Sequence, residues 1–397
     1  MWSIDLSVFS YCGAGVALVA ALVLLWSFLP VMRRVFVLAA NQTDCPLLDA
    51  VDYPPVTILV YAHNDAWNLP TLIHDLFNQD YPAPIEVVVV NDVAVDNTHE
   101  VVLELQNTYP SLYLTFMPER SRNLSRKKLA VTIGLKAASN DVVMLTCGNC
   151  RIDSPDWLRR MMRHVVEGKE VVIGYATLRD SEGEPTGGMN ARLRSFDCVW
   201  DALRYLSSAI SGHPVRGNGN NLVYRKHLFF ENKGFARSLN LNYGDDDILI
   251  SEIANSTNAA VEISRQSIVE ARESRPGVVY ELEKLRHDFT AHFLPKGPRL
   301  MMGLFCTMAW SWLAGSAAAV VFGLPSLIPV IFVVLLAVGL WLPLMFAWRN
   351  LANSLMAPHV AFVSVPFLML WHPLFNLRYR IAGARQKREN FTWSKLG

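Results

Sequence analysis

Between Val56 and Cys150 the chain alternates β-branched apolar runs with longer amphipathic stretches, and few folds accept that alternation. The runs are VTILVY at 56–61, IEVVVVN at 85–91 and VVMLT at 142–146. Each ends in small or polar residues. Strand-sized runs separated by helix-sized ones read as βαβ units on a largely parallel sheet. Sheets of that kind bind ligands beyond the carboxyl ends of their strands. Polar residues collect there: Asn64 and Asp65 after the first run, Asn91 and Asp92 after the second, Asn149 after the later one.

The remainder of the soluble region extends the same pattern. Leu69–Gln79, a stretch from about Asn97, Arg126–Ala138 and Pro155–Glu167 carry helical spacing, and Leu112–Met117 reads as a further strand. Ala191–Ser211 is a candidate helix. Gly217–Asn221 forms a turn into a short strand, Leu222–Tyr224. Gly244-Asp245-Asp246-Asp247 opens an apolar helical run, where acidic residues suit a first turn. Tyr280–Phe293 is amphipathic, of the kind that lies against a membrane surface.

Both ends are apolar. Leu6–Met32 holds no charged residue and is followed by Arg33-Arg34, the reverse of a signal peptide's charge order. The length suits one span, and the arginines place the soluble domain after it on the cytoplasmic side. Met301–Trp348 is again uncharged and is broken by Gly323–Pro329, which predicts a hairpin of two spans with both ends cytoplasmic. A third uncharged stretch, 351–377, is interrupted by Pro358, Pro366 and Pro373 and by two histidines. A re-entrant or interfacial path there keeps the basic tail (Arg378, Arg380, Arg385, Lys387, Arg388) inside. The predicted organisation is an anchor at 1–34, a linker at 35–55, a soluble domain at 56–298, a membrane hairpin at 299–350, the third apolar segment at 351–377 and a cytosolic tail at 378–397.

The 36 Lys and Arg nearly balance the 35 Asp and Glu, which argues against a nucleic-acid partner. Six scattered cysteines, two of them in the apolar ends, do not form a disulfide framework. The Asn-x-Ser/Thr triplets at Asn41, Asn123, Asn255 and Asn390 read as chance in a mostly cytosolic chain.

Six short motifs follow in order: AHND (62–65), VNDVAVD (90–96), CGNC (147–150), GNGNNLVYRK (217–226), GDDDI (244–248) and EKLRH (283–287). In this order and spacing they resemble membrane-bound family-two glycosyltransferases of the Bacteroidetes type, related to the cellulose and hyaluronan synthases. There they read approximately ARNE, VNDGSTD, DADC, GxGxNLAYRK, GDDDL and QKxRH. The resemblance covers roughly Pro55 to His292. It implies a GT-A nucleotide-sugar-binding fold, a Rossmann-like mixed sheet, with N-terminal and C-terminal transmembrane helices.

The resemblance also implies roles. Asn64, Asp65, Asp92 and Asp96 fall at the nucleoside, where carboxylates accept from an imide N–H or ribose hydroxyls. Val93-Ala94-Val95 replaces the Gly-Ser-Thr of the second motif. Lys127 falls where a cation offsets diphosphate charge. Asp245, Asp246 and Asp247 align with the catalytic base, Asp245 first among them. Asn221 and Arg286 fall at the diphosphate or acceptor. At EKLRH, Glu283 and His287 replace the Gln and Trp of processive members, which argues against long-polymer synthesis.

The third motif departs most. Relatives carry two aspartates there that hold Mg²⁺ or Mn²⁺ with hard oxygen ligands. Here Cys147 and Asn149 stand in their place. A metal site at Cys147 and Asn149 is degenerate, and the divalent cation usual for the family is not expected. A redox or zinc reading of CxxC lacks the partner ligands it would need. The expected function is an inverting, membrane-anchored glycosyltransferase of a bacterial inner membrane, multi-pass, with its catalytic domain cytoplasmic. It would move a sugar from a nucleoside-diphosphate sugar, a UDP-sugar foremost, to a lipid-linked or membrane-adjacent glycan, with membrane lipid as a further partner. The alternative is a catalytically impaired relative acting as a scaffold in glycan assembly.

Overall fold

The computed structural model describes residues 6–48, 51–118, 125–180, 189–273, 276–357 and 362–385. The triplets at Asn123 and Asn390, Pro358 and the tail residues Lys387 and Arg388 lie outside the described residues. In chain order the elements begin with helix α1 (Leu6–Asp44), strand β1 (Val56–Ala62), α2 (Leu69–Phe77), β2 (Ile85–Asn91), α3 (Thr98–Gln106) and β3 (Leu112–Phe116). Next come α4 (Arg126–Ala137), β4 (Val142–Cys147), β5 (Cys150–Arg151), α5 (Trp157–Val166), β6 (Val171–Ile173), β7 (Ala176–Asp180) and α6 (Met189–Ile210). Then follow β8 (Leu222–Arg225), α7 (Lys226–Glu231), α8 (Ile248–Ile253), β9 (Ala259–Val261), β10 (Val269–Glu273) and α9 (Pro276–Thr290). The chain closes with α10 (Gly297–Gly323), α11 (Ile328–Ser354) and α12 (Val365–Arg385).

The main sheet has seven strands in the order β3-β2-β1-β4-β8-β6-β9, and a three-stranded sheet runs β5-β10-β7. β1 pairs parallel with β2 and with β4, whereas β8 is antiparallel to β4 and to β6. The sheet is therefore mixed. Ala62 pairs with Asn91, so Asp65 and Asp92 leave neighbouring strand ends. Buried Val, Ile and Leu side chains on both faces explain why β1, β2 and β4 are nearly continuous apolar runs. Glu86, in β2, is an exception: its carboxylate takes the hydroxyls of Thr57 and Ser139 and the Ser139 N–H.

Among the described residues three helices are long and apolar enough to cross a membrane: α1, α10 and α11. α1 and α10 cross closely because Gly13 and Gly315 meet there. A Cβ on Gly13 would lie 2.7 Å from the Ala319 nitrogen, and one on Gly315 2.7 Å from the Gly13 oxygen. Small residues allow such backbone approach between membrane helices. The segment expected as a linker from residue 35 is instead helical to Asp44. Its end is fastened to the soluble domain. Gln42 donates to the Val261 carbonyl at 2.7 Å and accepts from the Ile263 N–H at 2.9 Å. Arg160 caps the helix through the carbonyls of Gln42 and Cys45.

α6 joins the two regions from the other side. Phe196 and Trp200 pack on Phe28 of α1, Phe305 of α10 and Trp348 of α11. The third apolar segment does not continue as one helix. α11 ends at Ser354, and α12 begins at Val365 and rests on α6 and α9.

The second motif keeps its loop despite losing its glycine. Val93 has φ +41°, a left-handed conformation that a β-branched residue adopts only under strain. Val93 is partly exposed, so little apolar burial offsets that strain. We predict that Val93→Gly stabilises the protein by about 1 kcal/mol, the relief of strain exceeding the entropy cost of glycine. Thermal unfolding of the two proteins in the same detergent checks this, and a lower midpoint for Val93→Gly refutes it.

Candidate functional site

The ends of β1 and β4, the turn before β8, the loop before α8 and the helices α6, α9 and α12 surround one cavity of about 670 Å³. That size suits a ligand somewhat larger than a single nucleoside. On the strand side it is lined by Asn64, Asp65, Lys127, Cys147, Asn149 and Glu273. On the helix side it is lined by Asp197, Asp201, Arg216, Lys284, Arg286, His287, His372 and Arg380. Asp246 sits between the two sets.

The sharp turn after β1 is built by Asn64, at φ +61°, which accepts the Val95 N–H at 2.8 Å. It sends the Asp65 carboxylate inward, where the His63 N–H donates to it at 2.8 Å. Gly148 makes room: a Cβ there would fall 2.6 Å from Asp65 Oδ2. Burial pushes the Asp65 carboxyl up to about 6, and the His63 hydrogen bond only partly offsets this. It is a buried acceptor with few donors of its own.

Asp92 and Asp96 differ from that picture. Both were expected at the nucleoside. The Asp92 carboxylate already pairs with Arg126 through Oδ1 and accepts the Tyr61 hydroxyl at 2.5 Å through Oδ2. It is buried and does not line the cavity. Asp96 accepts from Ala66, Thr98 N–H and Thr98 hydroxyl, which ties the second loop to the first. These two carboxylates shape the loops; Asp65 is the one presented.

Asn221 also departs from expectation. It is fully buried, donates to the carbonyls of Tyr175 and Ser267, and accepts from the Trp157 indole at 3.2 Å. Its amide is spent on joining β8 to the neighbouring strands, and it does not line the cavity.

The acidic motif is organised by Arg286. Its guanidinium donates to Asp246 Oδ1 at 2.7 Å and to Glu283 at 3.0 Å, and lies 3.3 Å from Asp245. Lys127 pairs with the other oxygen of Asp245 at 3.2 Å. The Gly219 N–H donates to Asp246 Oδ2 at 3.2 Å, and the Gly217 N–H donates to the Asp246 backbone carbonyl at 2.8 Å. Gly219 also lets the site close, since a Cβ there would stand 3.3 Å from Lys127 Nζ. Asp247 points away and caps α8 through the Ile248 N–H at 2.7 Å. Of the three aspartates only Asp246 lines the cavity. Burial would raise its pKa, but Arg286, Lys127 and Arg216 hold it well below the usual carboxylate range. It stays ionised.

His287, in place of the expected aromatic, also lines the cavity. Burial and the nearby Arg216 push its pKa down to about 3, so it is neutral.

The metal motif does not fit a hard cation. Burial raises the Cys147 thiol well above its ordinary value, so no thiolate is offered, and sulfur suits Mg²⁺ or Mn²⁺ poorly. The Asn149 amide donates to Glu273 at 2.6 Å, leaving one neutral oxygen. Among the described residues no three His, Cys, Asp or Glu side chains gather to hold a metal ion. Cys147 and Cys150 are both free thiols.

Several lining residues carried no motif. Arg216, which pairs with Asp201, stands one residue before the GNGNN turn. Asp197 and His372 sit in a helix and an apolar run where periodicity reports packing alone. Trp67 lies at the cavity's strand side, half-exposed, two residues beyond Asp65.

Residues 57–197 match the model of Glycosyl transferase family 2. Among solved structures, the mannosyltransferase PcManGT from Pyrobaculum calidifontis, in complex with GDP-Man and Mn²⁺, aligns over 94% of this chain and 99% of its own. The TM-score is 0.52 and the identity 17%. S. aureus TarS 1–349 aligns over 85% of this chain and 92% of its own, with a TM-score of 0.40 and 13% identity. GalNAc-T7 with UDP, GalNAc and Mn²⁺ aligns over 64% of this chain and 56% of its own, with a TM-score of 0.40 and 13% identity. No curated protein matches the sequence. The mixed sheet, the family-2 match over 57–197 and the likeness to PcManGT together give the soluble part the GT-A glycosyltransferase fold.

Proposed function

We propose that this protein is a membrane-anchored, inverting glycosyltransferase using a nucleoside-diphosphate sugar. The observation that carries this is Asp246: an ionised, buried carboxylate, fixed by Arg286 and Gly219, lining the same cavity as Asp65. In a single displacement the acceptor hydroxyl attacks the anomeric carbon, its proton passes to Asp246, and the bond from that carbon to the diphosphate breaks. The nucleoside diphosphate leaves with the bonding pair. The transition state has oxocarbenium character, as in glycoside cleavage. A carboxylate within hydrogen-bond reach of the attacking hydroxyl is the requirement, and Asp246 meets it better than Asp245 because it alone of the three aspartates lines the cavity. The base therefore moves one residue from the position the motif alignment favoured. Asp65 is the acceptor for the base or ribose, and Lys127 and Arg286 offset the leaving diphosphate's charge. Donors with uracil fit Asp65 through the imide N–H; the neighbour PcManGT, solved with GDP-Man, makes guanine donors the first comparison.

The acceptor is a lipid-linked or membrane-adjacent glycan, because the cavity extends to Met302 on α10 and to Asn376 and Arg380 on α12. Arg33-Arg34 after the first span supports a cytoplasmic site at a bacterial inner membrane. A second reading, a catalytically impaired scaffold, is favoured by one observation, the loss of both metal-binding carboxylates at Cys147 and Asn149.

Three outcomes are expected. Asp246→Asn lowers transfer by about 10²–10⁴ while nucleotide binding persists, as for loss of a general base. The assay offers UDP- and GDP-sugars with membrane glycolipid acceptors. Full activity in Asp246→Asn with loss in Asp245→Asn would return the base to Asp245, and no transfer by wild type across the panel supports the scaffold.

Calorimetry with UDP and GDP should show little difference between Mn²⁺ and EDTA in wild type. The double variant Cys147→Asp with Asn149→Asp should gain a metal dependence of about tenfold, ~1.4 kcal/mol. A wild-type affinity that collapses in EDTA contradicts this.

Nucleotide affinity should also fall as pH drops through about 6, because Asp65 gains a proton there and loses an acceptor. The stability effect has the opposite sign. The folded carboxyl binds its proton below about 6, whereas the unfolded one waits until its ordinary range. This group therefore favours the fold most at low pH and loses that contribution as pH rises through about 6. In Asp65→Asn the affinity step near pH 6 should vanish; a step that survives belongs to another group.

A further inference from the structure

Asp197 lies on α6, outside the six motifs in sequence, and is buried. Side chains from two other helices converge on its carboxylate. Tyr280 and Lys284, one turn apart on α9, both donate to Oδ2, the tyrosine at 2.6 Å. His372 on α12 pairs with Oδ1 at 2.6 Å. Burial would raise the Asp197 pKa, but Lys284 and His372 reverse the shift and hold it far below the carboxylate range. The carboxylate is therefore charged, and α9 and α12 share one buried anion. Lys284 also lies over the rings of Phe375 and Tyr379 of α12, at 5.4 and 5.6 Å. Tyr379 adds a hydrogen bond to Glu281. Two residues beyond Lys284 on the same helix stands Arg286, whose guanidinium sets Asp246.

α12 is not among the helices long and apolar enough to cross a membrane, yet its outer face is apolar. Phe367, Trp371, Leu374, Leu377 and Ile381 are all exposed, at spacings that put them on one side of a helix. The helix touches α10 and α11, so this stripe continues the apolar surface of two membrane helices. Arg380, on another side of the helix, faces α9 at 4.0 Å from Asp288 and lines the cavity.

We infer that Asp197 is a positioning residue for Arg286, and that α12 is a clamp, seated on a phospholipid surface, that keeps α9 in place through it. The clamp rests on the proposed function only for its effect on nucleotide binding; the mechanical link does not. A helix held at two points one turn apart has a fixed rotation and height. Without the His372 contact, α9 retains Asp197 but loses its outer support, and Arg286 is free to leave Asp246.

The test uses the full chain in vesicles of phosphatidylcholine and phosphatidylglycerol. Hydrogen exchange of α9 needs no nucleotide. His372→Asn should speed exchange over 283–287 by about tenfold or more, with β1 and β4 unchanged, as a local opening does. The pair Leu374→Gln with Leu377→Gln, on the lipid-facing stripe, should do the same. Unchanged α9 exchange in His372→Asn overturns the clamp, and unchanged exchange in the leucine pair overturns its seating on lipid. Asp197→Asn should open α9 further; if β1 and β4 open too, the variant is globally unfolded and His372→Asn decides. A functional readout separates positioning from bulk stability. The preference for UDP or GDP over the matching monophosphate should fall in Arg286→Gln and in His372→Asn, and the double variant should lose no more than Arg286→Gln alone. Losses that multiply show that His372 acts independently and overturn the positioning role. Failure of wild type to bind any nucleoside diphosphate counts against the proposed function, while the exchange result still judges the clamp.

Discussion

One guanidinium sets the geometry of the cavity. Arg286 holds Asp245, Asp246 and Glu283 at once, and its own helix is held by Asp197. A buried ion cluster of this kind contributes little net stability, because desolvation offsets most of the attraction. Its use is specificity of arrangement. Removing one member leaves the others charged in a poor solvent, so the cluster exists nearly whole or the site does not form.

The long apolar helices α1, α10 and α11 belong to the same arrangement. α1 leaves the apolar bundle as an unbroken helix and ends against the sheet, with Gln42 bridging Val261 and Ile263. Across the molecule, Phe196 and Trp200 of α6 are packed among rings of α1, α10 and α11, and α6 also carries Asp197. The helix that meets the membrane bundle is thus the one that fixes α9. A rigid path of packed aromatics and one buried anion leads from the apolar helices to Arg286, with no flexible linker in it.

The strands were legible in the sequence because their apolar runs have no competing explanation at that length, and Lys127, Asp65 and Arg286, which motif order singled out, line the cavity. What periodicity and motifs could not resolve was direction. Asp245, Asp246 and Asp247 are adjacent, and only the turn at Gly244, with φ +109°, decides which carboxylate enters the cavity. Asn221 belonged to a motif and is nevertheless structural, since an asparagine that binds backbone carbonyls and one that binds a ligand look alike in sequence. Asp92 was invisible as an ion-pair partner because Arg126 lies 34 residues away. His372, inside an apolar run, has a local partner in Asn376, but its partner on α6, Asp197, is 175 residues distant. Val93 shows the converse. The loop conformation that a glycine would have supplied survives without it, because Asn64, Asn91 and Asp96 hold the surrounding backbone.

Three adjacent carboxylates would repel one another if they shared one environment. The fold divides them. Asp247 is turned from the cavity to cap α8, and burial together with the charge of Asp246 raises its pKa. Asp245 is tied on one oxygen to Lys127 and on the other to Arg286, and does not line the cavity. Asp246 keeps its charge through Arg286 and retains a face toward the cavity. Environments that push neighbouring acids apart assign them different work. Here the division follows from one helix of cations, one glycine turn and one helix start, so the choice of Asp246 is a property of the backbone around the motif and not of the motif's letters.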